Sequence, residues 1–385
     1  MNEIVDFLTN VFKDVSKPVA LSEPSISQSD IGSVQETLKK GYVSSLGDSI
    51  NDFEIQISKN FDDRFAVCLN SGTSALHLAL NSMGVESNQE VIVQPLTFVA
   101  TINAIRYLGA TPTFIDIEQD YLSLSHEHLK NFILKSCKYK NKQLTNTETG
   151  RKITAVVMVD VFGNIGHQKE IYEICKDYNL KLIVDAAESI GAKRYEKSSG
   201  YYSDITTTSF NGNKIITSGM GGAVISKNSN EIEKIRHLAS TANIGKKSFG
   251  FEHDEIAYNY RLPALNAALG YSQIMSLDKK LTDRKKIYLY YKNIFENNEI
   301  MKLHTNAELY SNFWLNTLSM NFNELEITKI ELIKILNKRK IFLRDVWQPH
   351  NLNNLNKDCY FENLDNTLKF YKSSINLPSS FKIEL

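Results

Sequence analysis

The chain has 385 residues, 42% of them apolar and 10% aromatic, enough to build two domains with cores of their own. Its 44 Lys and Arg are matched by 44 Asp and Glu, and this zero formal charge argues against nucleic acid or an anionic membrane as the main partner. The cysteines (Cys68, Cys137, Cys175, Cys359) lie far apart without CxxC spacing, as reduced thiols do, and no apolar run is long enough to span a bilayer, so a cytoplasmic protein is expected.

In chain order, MNEIVDFLTNVFKDV mixes acids with spaced apolar residues and predicts an amphipathic helix, not a secretory signal. From about residue 65 to 230, strand-like runs alternate with helical patterns, the signature of βαβ units around a largely parallel sheet. FAVCLN (65–70) precedes Ser71-Gly72-Thr73 and the helical SALHLALNSM. EVIVQP (90–95) precedes the helix VATINAIRYLG, and TPTFIDI (111–117) is the next strand. The Lys- and Asn-rich stretch 138–152 reads as a surface excursion. ITAVVMVDVFG (153–163), the helix QKEIYEICKDYN, then KLIVDAAE (181–188), DITTTSF (204–210) and GGAVIS (221–226) complete the set. Past about residue 255 the pattern changes: a helix begins near Pro263, a long charged helix covers 277–297, and a mixed, Asn-rich tail follows. The expected division is 1–250, a large domain that includes the N-terminal helix, and 251–385, a smaller α+β domain.

No GxGxxG after a strand, GxxxxGK[ST], HExxH or GxSxG is present, so nicotinamide, ATP and metallopeptidase readings have no foothold. His126 and His128, two residues apart, would not share a helix face and read as exposed polar residues. Three features fall at strand ends, where ligands sit in α/β sheets. Gly72, Thr73 and Ser74 stand between a strand and a helix start, where free N–H groups and hydroxyls suit a phosphate, although such residues also cap helices. Asp185 ends an apolar strand and could hold a protonated ring nitrogen, with Ala186 and Ala187 leaving room for a flat ring; the plainer role is a helix cap. Lys214 lies in a glycine-rich turn between two strand-like runs, placed to serve as a nucleophile if buried or to reach solvent if not. An anion seat, a carboxylate and an amine are together what pyridoxal 5′-phosphate requires.

NSGTSALHLAL, PLTFVATINAI, GATPTFIDI, IVDAAESIGA and SFNGNK resemble the sugar aminotransferases of the DegT/DnrJ/EryC1/StrS group, which have the type I (aspartate aminotransferase-like) fold. The resemblance runs from about residue 41 to 270 and implies an α/β fold, with a large domain around a mostly parallel sheet and a smaller α+β domain. It implies that Lys214 bonds the cofactor's aldehyde and shuttles protons, and that Asp185 pairs with the ring nitrogen. Phe98 matches the aromatic that stacks on the ring; Thr73, Ser74 and Ser209 match phosphate contacts; and Glu188 stands where the family often has a Gln contacting the ring hydroxyl. Asn259 matches an asparagine that reaches the phosphate of a neighbouring subunit, which implies a homodimer. SFNGNKIITSGMGG and FEHDEIAYNYRLP are most similar to the subgroup making 4-amino-4,6-dideoxy sugars on UDP-N-acetylglucosamine derivatives, with glutamate as donor. Relatives with histidine at the lysine position act as dehydratases, so Lys214 favours transamination over that chemistry, and the set Lys214, Asp185, Ser209 and Asn259 argues against a non-catalytic regulatory protein.

Overall fold

The computed structural model describes residues 2–247, 250–304 and 310–380. Helices α1 (Asn2–Val11), α2 (Gln28–Lys39) and α3 (Asp48–Asn60) lead into the alternating segment. There β1 (Phe65–Leu69), α4 (Gly72–Ser82), β2 (Glu90–Val93), α5 (Val99–Tyr107) and β3 (Thr111–Phe114) follow in turn. Helix α6 (His126–Ser136) runs into a hairpin of β4 (Cys137–Lys140) and β5 (Gln143–Asn146), and then come β6 (Lys152–Val159), α7 (Gln168–Asp177) and β7 (Lys181–Asp185). A small hairpin of β8 (Lys193–Arg194) and β9 (Lys197–Ser198) precedes β10 (Ile205–Ser209), β11 (Gly222–Ser226) and α8 (Ser229–Ala239). The hairpin β12 (Asn243–Lys247) and β13 (Gly250–His253) leads to α9 (Ala264–Ile274) and α10 (Leu277–Phe295). The last part comprises β14 (Met301–Leu303), β15 (Asn316–Met320), α11 (Lys329–Lys338), β16 (Arg344–Asp345), β17 (Tyr360–Phe361), α12 (Asp365–Ser373) and β18 (Ser374–Leu377).

The main sheet has the order β1-β11-β10-β7-β6-β2-β3-β17. From β10 to β17 every pairing is parallel, and β11 is antiparallel to both its neighbours. Its inner strands are apolar on both faces because helices cover both, so EVIV is buried throughout and KLIVD from its second residue. The 138–152 excursion is a hairpin whose second strand, β5, lies antiparallel on β6. The second sheet, β14-β15-β18-β16, is antiparallel.

Two hydrophobic cores form, and the chain passes between them more than once. The N-terminal helix, expected with the large domain, packs Val5, Leu8 and Phe12 into the second core against Ile287, Leu318, Leu332 and Ile375. Ala264, Ala267 and Ile274 of α9 belong instead to the core of the main sheet. His126 and His128, expected exposed, are half-buried, and the His126 ring centroid lies 4.8 Å from that of His167. The carboxyl ends of β1, β2, β6, β7 and β10 point the same way, and the loops that follow them build one site.

Candidate active site

Helix α4 starts at Gly72 because Ser71, in an extended conformation, caps it by accepting the Ser74 N–H at 3.0 Å. The N–H groups of Gly72 and Thr73 have no acceptor within the helix and, with its dipole, form an anion seat. Close packing fixes that seat against the sheet. A Cβ at Gly72 would sit 2.9 Å from the Ser209 Cβ, and a Cβ at Gly222 would sit 2.6 Å from the Gly72 nitrogen. Glycine is required at both positions, and the Ser209 hydroxyl is thereby held beside the start of α4.

Asp185, the last residue of β7, is 4% exposed. Its carboxylate accepts hydrogen bonds from the Thr101 hydroxyl at 2.9 Å and the Ala187 N–H at 3.1 Å. Burial, reinforced by the nearby Glu188, pushes its pKa up to about 6, against the pull of those two bonds and of Lys214. Glu188 accepts the Phe162 N–H at 2.7 Å through one carboxylate oxygen and the Lys214 ammonium at 3.4 Å through the other. That bond helps hold Phe162 in the left-handed region, at φ 59°. From the second part of the chain, the Asn312 side-chain amide donates to the backbone carbonyls of Glu188 at 2.8 Å and Ile190 at 2.9 Å, fixing the turn.

Lys214 is carried by a tight turn closed by its N–H on the Asn211 carbonyl at 3.0 Å. Its Nζ lies 4.0 Å from the centroid of the Trp314 ring, whose own N–H donates to the Asn213 carbonyl at 2.8 Å. The far wall is Arg344, stacked 3.8 Å over Trp347, with the Phe98 ring 5.2 Å and the Phe162 ring 6.1 Å from Trp347.

These groups enclose a cavity of about 370 Å³. Of the residues singled out in the sequence, Gly72, Thr73, Phe98, Asp185, Ala187, Glu188, Ser209 and Lys214 line it. Ser74 does not: its hydroxyl is bonded to Asn70 Oδ1 at 2.7 Å and packs beneath the helix start. Asn259 is exposed and lies outside the cavity of its own chain, its carbonyl accepting the Asn70 side-chain amide at 3.4 Å. The sequence reading missed Thr101, Asn213, Trp314, Arg344 and Trp347, which also line the cavity. One signal was available: the chain has only 2 Trp, and both are here. An anion seat, a buried carboxyl and a primary amine around one cavity fit a phosphorylated pyridine aldehyde.

Comparison with known proteins agrees. The solved structure of Helicobacter pylori PseC, an aminotransferase involved in pseudoaminic acid biosynthesis, matches with a TM-score of 0.84 at 26% identity over 94% of both chains. The fold is the type I fold of pyridoxal-phosphate-dependent transferases, and pyridoxal 5′-phosphate is the cofactor. The sequence profile of the DegT/DnrJ/EryC1/StrS aminotransferase family matches residues 24–385, and the chain belongs to that family. Among its relatives is the Bacillus subtilis protein EpsN, named as a putative pyridoxal phosphate-dependent aminotransferase, 32% identical over 94% of this chain and 91% of that one. A second is the Campylobacter jejuni UDP-4-amino-4,6-dideoxy-N-acetyl-beta-L-altrosamine transaminase, 36% identical over 72% of this chain and 69% of that one.

Proposed function

We propose that this protein transfers an amino group from L-glutamate to the ketone of a nucleotide-linked 4-keto-6-deoxy sugar, a UDP-2-acetamido-4-keto-2,6-dideoxyhexose, for cell-surface glycan synthesis in the cytoplasm. The observation that carries this reading is that Lys214, Asp185 and the helix-start anion seat share one cavity. The C. jejuni transaminase named above supports the choice of sugar and nucleotide.

When bound, the cofactor supplies an aldehyde that carries the amino group and a ring that withdraws electrons from the deprotonated carbon. Lys214 Nζ would hold the cofactor by its aldehyde and, when free, would serve as the base that takes the proton from the donor's α carbon and as the acid that returns one to the sugar carbon. Glu188, at 3.4 Å, orients the amine between these tasks. Asp185, held by Thr101 and Ala187, keeps a proton on the ring nitrogen. Gly72, Thr73 and Ser209 seat the phosphate, Ser74 props the seat from beneath, Phe98 flanks the ring and Ala187 leaves space for it. Asn259 serves the phosphate seat of a second copy, so the active unit is a homodimer with shared sites.

The test is spectroscopic and chemical. The purified protein is expected to be yellow, and borohydride should abolish the band while fixing the cofactor to Lys214, as read by peptide mass. Given glutamate and a panel of UDP- and GDP-linked ketosugars, it should yield one amino sugar per glutamate consumed, with stereochemistry read by NMR. Lys214→Ala should bind the cofactor without turnover. A colourless protein that binds no cofactor sinks the reading, as does elimination of water from the sugar without glutamate consumption.

A further inference from the structure

The peptide plane that joins Asn213 to Lys214 is held at both ends. The Lys214 N–H donates to the Asn211 carbonyl at 3.0 Å. At the other end the Asn213 carbonyl accepts two hydrogen bonds, from the Trp314 indole N–H at 2.8 Å and the Ser22 hydroxyl at 2.9 Å, which occupies both its lone pairs. Neither donor is near in sequence. Ser22 lies between α1 and α2, and Trp314 stands just before β15 of the second sheet.

Two residues earlier, Asn312 does the same for Glu188. Its side-chain amide donates to the Glu188 carbonyl at 2.8 Å and the Ile190 carbonyl at 2.9 Å, and its Oδ1 accepts the Trp314 backbone N–H at 3.0 Å. The side chain is buried against Gly163, where a Cβ would collide with that Oδ1. Beneath the segment lies Arg284 of α10, fully buried, which donates to the Trp314 carbonyl at 3.3 Å and to the Ser22 hydroxyl at 3.0 Å. Burying a guanidinium is unfavourable, and burial pushes the pKa of this one down to about 9. Its donors reach both residues that hold the Asn213 carbonyl.

The segment 312–314 thus grips the backbone under Glu188 and the backbone under Lys214, and its indole face lies 4.0 Å from the Lys214 Nζ. The 3.4 Å contact from Glu188 Oε1 to Lys214 Nζ is what this grip sets. We infer that Asn312 and Trp314 are positioning residues that hold the Glu188–Lys214 pair together from the second sheet, with Arg284 and Ser22 as their support. The bearing of this bracket on catalysis rests on the transaminase reading above.

The first measurement needs no cofactor. Acetylation of Lys214 by acetic anhydride is followed by peptide mass in cofactor-free protein, because an amine held between a carboxylate and a ring face reacts slowly. Trp314→Phe, which keeps a ring but loses the indole N–H, and Asn312→Ala should each raise the rate about 5- to 10-fold, the worth of one or two lost hydrogen bonds. Ser22→Ala, the mildest change, should act in the same direction. Ile341→Val, a truncation in the second core, is the stability control and should stay within about twofold of wild type. In a Glu188→Gln background, Asn312→Ala should add less than about twofold, because it acts through a charge already removed. In the loaded protein, Trp314→Phe and Asn312→Ala should lower the limiting rate with glutamate about 10-fold, with half-saturation within about threefold of wild type. The inference is overturned if Lys214 reacts equally in wild type and the variants, if Ile341→Val raises the rate as much as they do, or if Asn312→Ala keeps its full effect beside Glu188→Gln. It is also overturned if half-saturation moves and the limiting rate does not, because the two residues would then be substrate contacts. If no ketosugar is aminated while the labelling pattern holds, the transaminase reading falls and the bracket stands.

Discussion

At Asp185, folding places a carboxyl where its charged form is poorly solvated, and the pKa rises from an ordinary 3.8 to about 6. A carboxyl whose pKa rises on folding favours the native state while protonated, and that contribution is lost as the pH climbs through the folded value. In cofactor-free protein, ionised Asp185 is therefore a cost above about pH 6, which in the proposed role a protonated ring nitrogen would offset. Asp185→Asn should accordingly stabilise the cofactor-free protein by roughly 1–3 kcal/mol at pH 8, with the gain fading toward pH 5, while weakening cofactor binding. Thermal unfolding of both proteins across that range checks this, and a gap that does not change with pH would refute it. Buried Asp160, bonded to Ser189, Ser199 and Gln168, is pushed up to about 7 by burial and in part by Asp185, so removing the Asp185 charge eases the ionisation of Asp160 and adds to the gain in the same direction. At this scale the sequence was most informative where the chemistry is local. Asp185 ends a strand that its neighbours announce, and Lys214 stands in the glycine-flanked turn between two more. Trp314 was invisible because its partner, the Asn213 carbonyl, is distant along the chain, and Arg344 because the two-residue β16 gains strand character only by pairing with β18.

At the scale of elements, the start of α4 and the antiparallel strand β11 form one tight joint. An added methyl at Gly222 would meet backbone atoms of Ser71 and Gly72 at 2.6 Å, and backbone cannot swing aside as a side chain does. Gly222→Ala should cost roughly 1–3 kcal/mol of stability and lower cofactor affinity by more than tenfold, since the anion seat itself is displaced. Gly212→Ala is the control, because there the nearest atom to a new Cβ is the Gly219 carbonyl oxygen at 4.0 Å. Equal cofactor affinities in the two variants, measured by fluorescence titration, would dispose of the joint as a determinant of the seat. The inner parallel strands were legible because they are apolar on both faces. The strand made by Tyr360 and Phe361 was not, because two residues in an Asn-rich tail carry no periodicity and gain strand character only by pairing with β3. The hairpin at β4 and β5 was hidden for a related reason: β4 is largely exposed and polar.

At the scale of the molecule, the sequence reading expected Asn259 to act in a second copy, and its exposed position outside its own cavity is compatible with that. Mixing Lys214→Ala with Asn259→Ala chains after reversible dissociation tests it. If each site takes its lysine from one chain and its asparagine from the other, a mixed dimer holds one intact site and one carrying both lesions. Activity should then recover to about a quarter of wild type, because half the dimers are mixed and each has one working site. No recovery above the sum of the two parents would show that each chain builds its site alone. The division between the two cores was only partly legible, because an amphipathic helix declares that it must bury a face without declaring against what. Here α1 finds that partner in the second core, at the other end of the sequence.

The segment from β16 to β17 crosses from the second sheet to the main one, and on the way the His350 N–H binds the Pro95 carbonyl at 3.0 Å and its imidazole approaches the Thr97 carbonyl at 3.1 Å. The wall bearing Arg344 and Trp347 is thus stitched to the loop that bears Phe98. A jaw-like swing of one sheet against the other would first have to break these two contacts, each worth on the order of 1 kcal/mol, or hinge in the short stretch between Trp347 and His350.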